Sequence, residues 1–485
     1  MVDPGAPGKD GPGEYPPGRI TFRTDHCGQP IAVRPNEFLT SAEPERVLAA
    51  VDEVLAEVRG SRDDGQAIRR LQRIGEPVGG VWQRYRLAAE DGAGDVDVIR
   101  LVRGLRGRGI AAQPNHVYFA TTITAAPNMF APNMFAPNMF APNMFAPNMF
   151  APNMFAPNMF AGLGGGCCCP NGLIDTTAVN VPQLAARPAP EPAQPATAVK
   201  DEARVAVHVI DIVSPGGPDA DDHVAGELED PGHIVGGAID ENADGWADPA
   251  TGHGEFVASV VELTCGLTAT LWNAADPLGD IDDVALVAAL DTVDRFVDDP
   301  KGSVRKVLNL SLAGYNEDDR PSLVLADQVK RMVAGGWLIV ASAGNHGSCR
   351  LAWPAALPDV VAVGAYGSCG PAWFSNYGAW VDASAPGVDV VAGYPDLSGL
   401  PTRNVAEIER PDGTTQLLTT EDFGTGWASW SGTSFAAPFV AARLAGVLQA
   451  EPPATDRAIA IAKALHQVIG DPKLPRLPYF GTLVR

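Results

Sequence analysis

The chain has 485 residues, 46% of them hydrophobic and 19% charged, which suits roughly two to four domains and excludes wholesale disorder. Its formal charge is −23, and nearly all of the excess acid lies in residues 201–485, a surface that repels phosphate backbones and argues against nucleic acid as a partner. No apolar run reaches the roughly 18 residues a membrane-spanning helix needs, and the first 20 residues hold no apolar stretch of a secretory leader, so neither is expected.

Residues 1–18 are Pro/Gly-rich and predicted as a disordered tail. A small α+β unit follows over 19–121. Val47, Leu48, Val51, Val54, Leu55 and Val58 are spaced as one apolar stripe of a helix, with Ser41 as its predicted cap and Pro44 in its first turn. Val81, Gln83, Tyr85 and Leu87 alternate with Trp82, Arg84 and Arg86 as in a strand. Val98, Leu101, Val102 and Leu105 mark a second helix, and His116 to Phe119 a closing strand. Strand–helix–strand–helix–strand fits a split βαβ, ferredoxin-like unit.

Residues 122–200 read as a low-complexity linker. Within it, residues 126–160 are seven consecutive copies of Ala-Pro-Asn-Met-Phe. A proline every fifth residue removes one backbone donor per copy, which excludes helix and central strand and predicts an extended tether. The Phe and Met side chains also suit self-association, so an assembly role for the repeat is a competing expectation. Cys167-Cys168-Cys169 lacks the spacing of a zinc site, and with seven cysteines one stays unpaired in a monomer.

From 203 onward, apolar β-branched runs recur at Val205–Ile210, Val307–Leu310, Trp337–Ala341 and Val360–Val363. Helix-like stretches at 254–262, 282–297 and 321–334 fall between them. Short buried strands alternating with helices predict an α/β three-layer sandwich around a mostly parallel sheet.

Ser431-Gly432-Thr433-Ser434-Phe435-Ala436-Ala437-Pro438 precedes a small-residue-rich apolar run. A tight turn followed by such a run sets Ser434 at a helix N-terminus, where unpaired N–H groups favour a developing oxyanion. This octapeptide resembles the nucleophile motif of the subtilisin-like serine proteases, the subtilases. Gly252-His253-Gly254-Glu255-Phe256-Val257-Ala258 resembles the family's histidine motif, with Glu255 where the family usually has Thr. Ala341-Ser342-Ala343-Gly344-Asn345 resembles the oxyanion-hole segment, and Val205 to Asp211 the strand that ends in the catalytic aspartate. The order Asp211, His253, Asn345, Ser434 is that family's order. The likeness covers about 205–450.

The resemblance implies a serine endopeptidase with Asp211, His253 and Ser434 as triad and Asn345 with the Ser434 N–H as oxyanion hole. It implies Ser311, Leu312 and Ala313 on one side of the substrate channel and Ser342, Ala343 and Gly344 on the other. It also implies that residues 19–121 are an inhibitory propeptide that chaperones folding and blocks the active-site cleft with its C-terminal strand, and that the tether is the processing region. The family works mostly outside the cell, whereas this sequence, with no secretory leader in view, reads as cytoplasmic. The partner is then a polypeptide substrate. Ile212-Val213 after Asp211 departs from the family's Asp-Thr-Gly or Asp-Ser-Gly, which raises the alternative of a weak or inactive peptide-binding member. Asp240, Asn242, Asp244 and Asp248 set oxygen ligands at alternating positions around Gly245, the opening half of a calcium loop, with Thr251 where its closing Glu belongs. Catalysis itself calls for no cofactor. Cys349 and Cys369 are spaced to pair or to remain thiols.

Overall fold

The computed structural model describes residues 20–24, 30–59, 68–89, 97–120, 183–184, 205–213, 227–228, 250–275, 279–297, 304–395 without 369 and 373, 407–409, 415–417 and 426–485 without 453. The seven-copy repeat, Cys167–Cys169, Asp240–Asp248 and Cys369 lie outside the described residues.

The N-terminal part runs β1 (Thr21–Thr24), β2 (Pro30–Thr40), α1 (Pro44–Arg59), β3 (Ile68–Val78), β4 (Trp82–Ala89), α2 (Val98–Gly107) and β5 (Ala112–Ala120). Its strands are antiparallel in the order β5-β2-β4-β3, with β1 added on β2. Helix α1 buries Val47, Val51, Val54 and Leu55, but Leu48 is 47% exposed, because one residue past Val47 the helix has turned about 100° away from the core. The helix starts at Pro44, the position where a missing N–H costs nothing, so Glu43 and not Ser41 precedes it. Helix α2 buries Val98, Leu101, Val102 and Leu105 as their spacing predicts. Strand β3 was not legible: its Leu71–Pro77 stretch is half-buried or exposed, so no apolar alternation marks it.

The second part follows as β6 (Gln183–Leu184), β7 (Val205–Ile212), β8 (Glu227–Leu228), α3 (His253–Cys265), β9 (Ala269–Ala275), β10 (Asp280–Asp282), α4 (Asp283–Phe296), β11 (Arg305–Leu310), β12 (Leu312–Ala313), α5 (Leu323–Ala334), β13 (Trp337–Ser342) and β14 (Val360–Gly367). It continues with β15 (Gly370–Pro371), β16 (Ala383–Pro386), β17 (Val390–Gly393), β18 (Glu407–Glu409), β19 (Thr415–Leu417), β20 (Trp427–Trp430), α6 (Thr433–Ala450), α7 (Arg457–Leu465), β21 (Arg476–Leu477) and β22 (Gly481–Leu483). The central sheet runs β8-β9-β7-β11-β13-β14-β16-β22 with every one of these pairs parallel, and β21 and β15 add antiparallel edges.

Alternation along the strands feeds two cores. Val207, Val209, Val307, Leu338, Val340, Val361 and Val363 pack with α3 and α6. Ile210, Leu308, Leu310, Ile339, Ala341 and Ala362 pack with α4 and α5. A sheet buried on both faces favours apolar side chains on both, which is why its strands read largely as apolar runs. The second core also takes Leu39, Val78, Trp82 and Tyr118 from the N-terminal part. Strand β5 lies between β10 and β12, antiparallel to both. Among the described residues no helix is long and apolar enough to cross a membrane.

Candidate active site

Four polar side chains gather at the carboxyl end of the central sheet. Asp211 is the last residue but one of β7, Asn345 lies just past β13, His253 opens α3, and Ser434 is the second residue of α6. All four are buried. The glycines around His253 explain how α3 comes so close to β7. Gly252 takes the left-handed conformation (φ +75°) at the turn, and a Cβ on Gly254 would stand 2.3 Å from the Ile212 carbonyl oxygen.

His253 Nδ1 lies 2.5 Å from Asp211 Oδ1. Since a carboxylate oxygen accepts, Nδ1 carries the proton and Nε2 is left as the basic nitrogen. Nε2 is buried and has no hydrogen-bond partner among the described residues. The same Asp211 oxygen accepts from the Ile212 N–H at 2.7 Å, while Val213 N donates to Asn273 Oδ1 at 3.1 Å. The bulky Ile212 and Val213 are themselves buried, so the departure from the family pattern extends the strand past the aspartate. Trp430 and Phe435 clasp the imidazole, each with its ring centre 5.4 Å away. Phe435 is the residue after Ser434, which brings the heads of α3 and α6 together.

Ser434 Oγ donates to the Ser311 carbonyl at 3.1 Å, and Ser311 Oγ donates back to the Ser434 carbonyl at 2.6 Å. Pro438 explains the second bond. It sits four residues into the helix from Ser434 and lacks the N–H that would otherwise take that carbonyl. Asn309 Nδ2 in turn donates to Ser311 Oγ at 2.9 Å.

Asn345 is oriented by a residue the motif reading left without a role. Thr433 donates to Asn345 Oδ1 from both its N–H (2.9 Å) and its hydroxyl (2.7 Å), and Thr433 Oγ1 accepts from Gly344 N at 3.1 Å. Asn376 was likewise missed. Its Oδ1 accepts from His346 N and Ser348 N, and its Nδ2 donates to Ala343 O and Tyr315 OH, so it holds the loop that carries Asn345. A Cβ on Gly344 (φ +95°) would meet Asn376 Nδ2 at 2.6 Å. No sequence signal separates Asn376 from an ordinary turn asparagine.

The two sides of the expected channel adjoin. Ser342 Oγ donates to Leu312 O at 3.4 Å, and Ser342 and Ala343 are fully buried behind β12. A small cavity is lined by Ala120, Asp211, Ile212, Ala274, Ile281, Ser311 and Leu312, so the end of β5 reaches the site. Among the described residues no group of three His, Cys, Asp or Glu side chains is placed to hold a metal ion.

Residues 278–470 match the family model described as the subtilase family. Subtilisin BL of Lederbergia lenta is 31% identical over 231 residues, covering 45% of this chain and 71% of that protein; subtilisin Savinase of the same organism has the same identity and coverage. A thermophilic serine proteinase of Bacillus sp. (strain AK1) is 38% identical over 121 residues, 25% of this chain and 26% of that one. Among solved structures, a cold-adapted subtilisin-like serine proteinase covers 58% of this chain and 89% of its own at 23% identity, with a TM-score of 0.38. With sequence shared over more than two thirds of the Lederbergia lenta enzyme, the chain belongs to the subtilase family and is a serine-type endopeptidase.

Proposed function

We propose that Asp211, His253 and Ser434 are the catalytic triad, that Asn345 and the Ser434 N–H form the oxyanion hole, and that the chain is made as a zymogen inhibited by its own N-terminal part. The observation that carries the triad is the buried pair of His253 Nδ1 and Asp211 Oδ1 at 2.5 Å, seated against the head of α6. A serine hydroxyl is a poor nucleophile at its free pKa and needs a base. His253 Nε2 takes the Ser434 Oγ proton as that oxygen attacks the substrate carbonyl carbon. The carbonyl oxygen takes up the negative charge, stabilised by the Ser434 N–H and by Asn345 Nδ2. As the C–N bond breaks, the imidazolium returns the proton to the leaving amine. Water then hydrolyses the acyl-enzyme by the same route, with Asp211 stabilising the imidazolium in both halves.

The zymogen reading is supported by strand β5. It adds between β10 and β12 in the way an extended peptide substrate adds to a sheet edge, with Leu312 opposite Ala120 and Ala313 opposite Phe119. Its carboxyl end, Ala120, lines one small cavity with Asp211 and with Ser311, whose carbonyl accepts from Ser434. The β2-α1-β3-β4-α2-β5 order, with strands arranged β5-β2-β4-β3, supports reading the N-terminal part as a ferredoxin-like propeptide. Processing then falls between Ala120 and Val205.

Incubating the purified chain should release a fragment with a new N-terminus in that stretch, and an active-site serine phosphonate should label the wild type. The Ser434→Ala chain should do neither. Failure of the wild type to label or process would leave a peptide-binding relative without turnover.

A further inference from the structure

One carboxylate of the catalytic part receives four hydrogen bonds from the N-terminal part. Asp283, fully buried at the start of α4, accepts at Oδ2 from Gln113 Nε2 (3.0 Å), His116 N (3.0 Å) and His116 Nδ1 (2.8 Å), and at Oδ1 from the Tyr118 hydroxyl (2.8 Å). Beside it, Glu317 Oε2 lies 2.7 Å from His116 Nε2, and Glu317 Oε1 pairs with Arg106 at 2.8 Å. Neither carboxylate belongs to the triad or the oxyanion hole.

His116 and Tyr118 sit on β5, the strand in the register of a bound peptide: Ile281 faces Tyr118 and Leu312 faces Ala120. Two residues apart, they share one face of that strand. Tyr118 is fully buried in a core that also holds Trp272, Ile281, Leu312 and Trp353 and belongs mostly to the catalytic part. A substrate strand that replaces β5 brings its own side chains to the same two places. The first place is an apolar slot whose end is a carboxylate. It suits a ring that ends in a hydroxyl, whereas phenylalanine presents only C–H to a buried charge. The second place lies between two carboxylates, which favours a cation and repels an acid.

We infer that Asp283 and Glu317 form an extended substrate-recognition site, selecting peptides with tyrosine at the Tyr118 position and a cationic residue two positions before it. The inference rests on the protease reading above and adds the substrate class.

The test uses fluorogenic peptides with the sequence of residues 116–122 and the processed wild-type chain. Phenylalanine in place of the tyrosine should lower kcat/KM about tenfold or more, the size expected for losing a hydrogen bond to a charged acceptor. Glutamate in place of the histidine should lower it comparably. Asp283→Asn should shrink the Tyr-to-Phe ratio, Asp283→Leu should bring it to one or below, and Glu317→Gln should shrink the His-to-Glu ratio. Equal rates within twofold for the Tyr and Phe peptides on the wild type overturn the inference. A second readout does not need turnover. In the Ser434→Ala chain, Tyr118→Phe or Asp283→Asn should raise amide hydrogen exchange of residues 112–120 about tenfold, and unchanged protection overturns the inference. A wild type that neither processes itself nor labels with the serine phosphonate, while the exchange response is present, supports the recognition site and sinks the triad assignment instead.

Discussion

Oδ1 of Asp211 accepts from two donors at once, the His253 ring and the Ile212 N–H, and both bonds lie in a buried setting. A carboxylate held this way fixes the imidazole tautomer. Asp211→Asn presents an amide that cannot hold it so, and turnover should fall by about 10⁴ with the fold retained. A loss of only a few-fold, measured as kcat on a peptide substrate, would move the triad acid elsewhere. His116 poses a different residue-scale problem. Burial pulls its pKa down, but Asp283 and Glu317 on either side outweigh burial and raise it to about 10. For Glu317 burial pushes up, and the His116 charge and Arg106 bring it down to about 2. Tyr118, Arg106 and Asp318 are further ionisable groups of this cluster. A raised histidine contributes stability that is complete below its ordinary value near 6.5 and is lost as pH rises toward about 10. A lowered glutamate contributes stability that is complete above its ordinary 4.5 and is lost as pH falls toward about 2. The melting-temperature gap between wild type and His116→Gln should therefore be widest near pH 5–6 and close by about pH 10. A gap that grows with rising pH would refute the charged clamp.

Helix α6 has to begin at Ser434's elbow while containing a proline. Pro438 leaves the Ser434 carbonyl without its helical donor, and Ser311 Oγ supplies one from the neighbouring strand end. The helix start is thus tied to β11 and β12, and both Ser434 polar groups touch Ser311. Removing the hydroxyl in Ser311→Ala leaves a buried carbonyl unsatisfied and should cost about 1–3 kcal/mol, read as a lowered urea midpoint. An unchanged midpoint would show that water or a helix shift takes over the bond. The same logic of close approach applies at Gly254, where no larger residue fits between α3 and the end of β7. The Gly-His-Gly spelling is therefore a packing requirement as well as a motif.

On the scale of the whole molecule, the two parts share a hydrophobic core and a β-ladder. Tyr118, Trp82, Val78 and Leu39 pack into the catalytic part, while Ala313, Tyr315 and Ala352 pack into the N-terminal one. Arg34 adds ion pairs to Asp280 and Asp282 at 2.8 Å each. Breaking one peptide bond in the tether removes none of these contacts. A nicked chain should elute as a single complex on size exclusion, and separation at neutral pH without denaturant would contradict the shared core. Chelation of calcium should lower the melting temperature where Asp240–Asp248 forms a metal loop, and an unchanged melt would retire that loop.

Much of this was legible in one dimension. Parallel strands buried on both faces spell apolar runs, amphipathic helices spell a stripe, and a nucleophile at a helix head needs small residues on both sides. The edge strand β3, the roles of Thr433 and Asn376, and the pairing of β5 with β10 left no such trace, and the approach of β5 to the cleft was implied by the family likeness alone. The sequence by itself determined the local conformations and the kinds of chemical groups available, because periodicity, turn residues and side-chain chemistry act within a few residues of each other. Only the tertiary structure decided that Asp283, chemically one more acidic residue in an acid-rich half, stands where His116 and Tyr118 reach it. Hydrogen bonds spanning more than 160 residues depend on where two separately formed elements come to rest, and no local spacing encodes that.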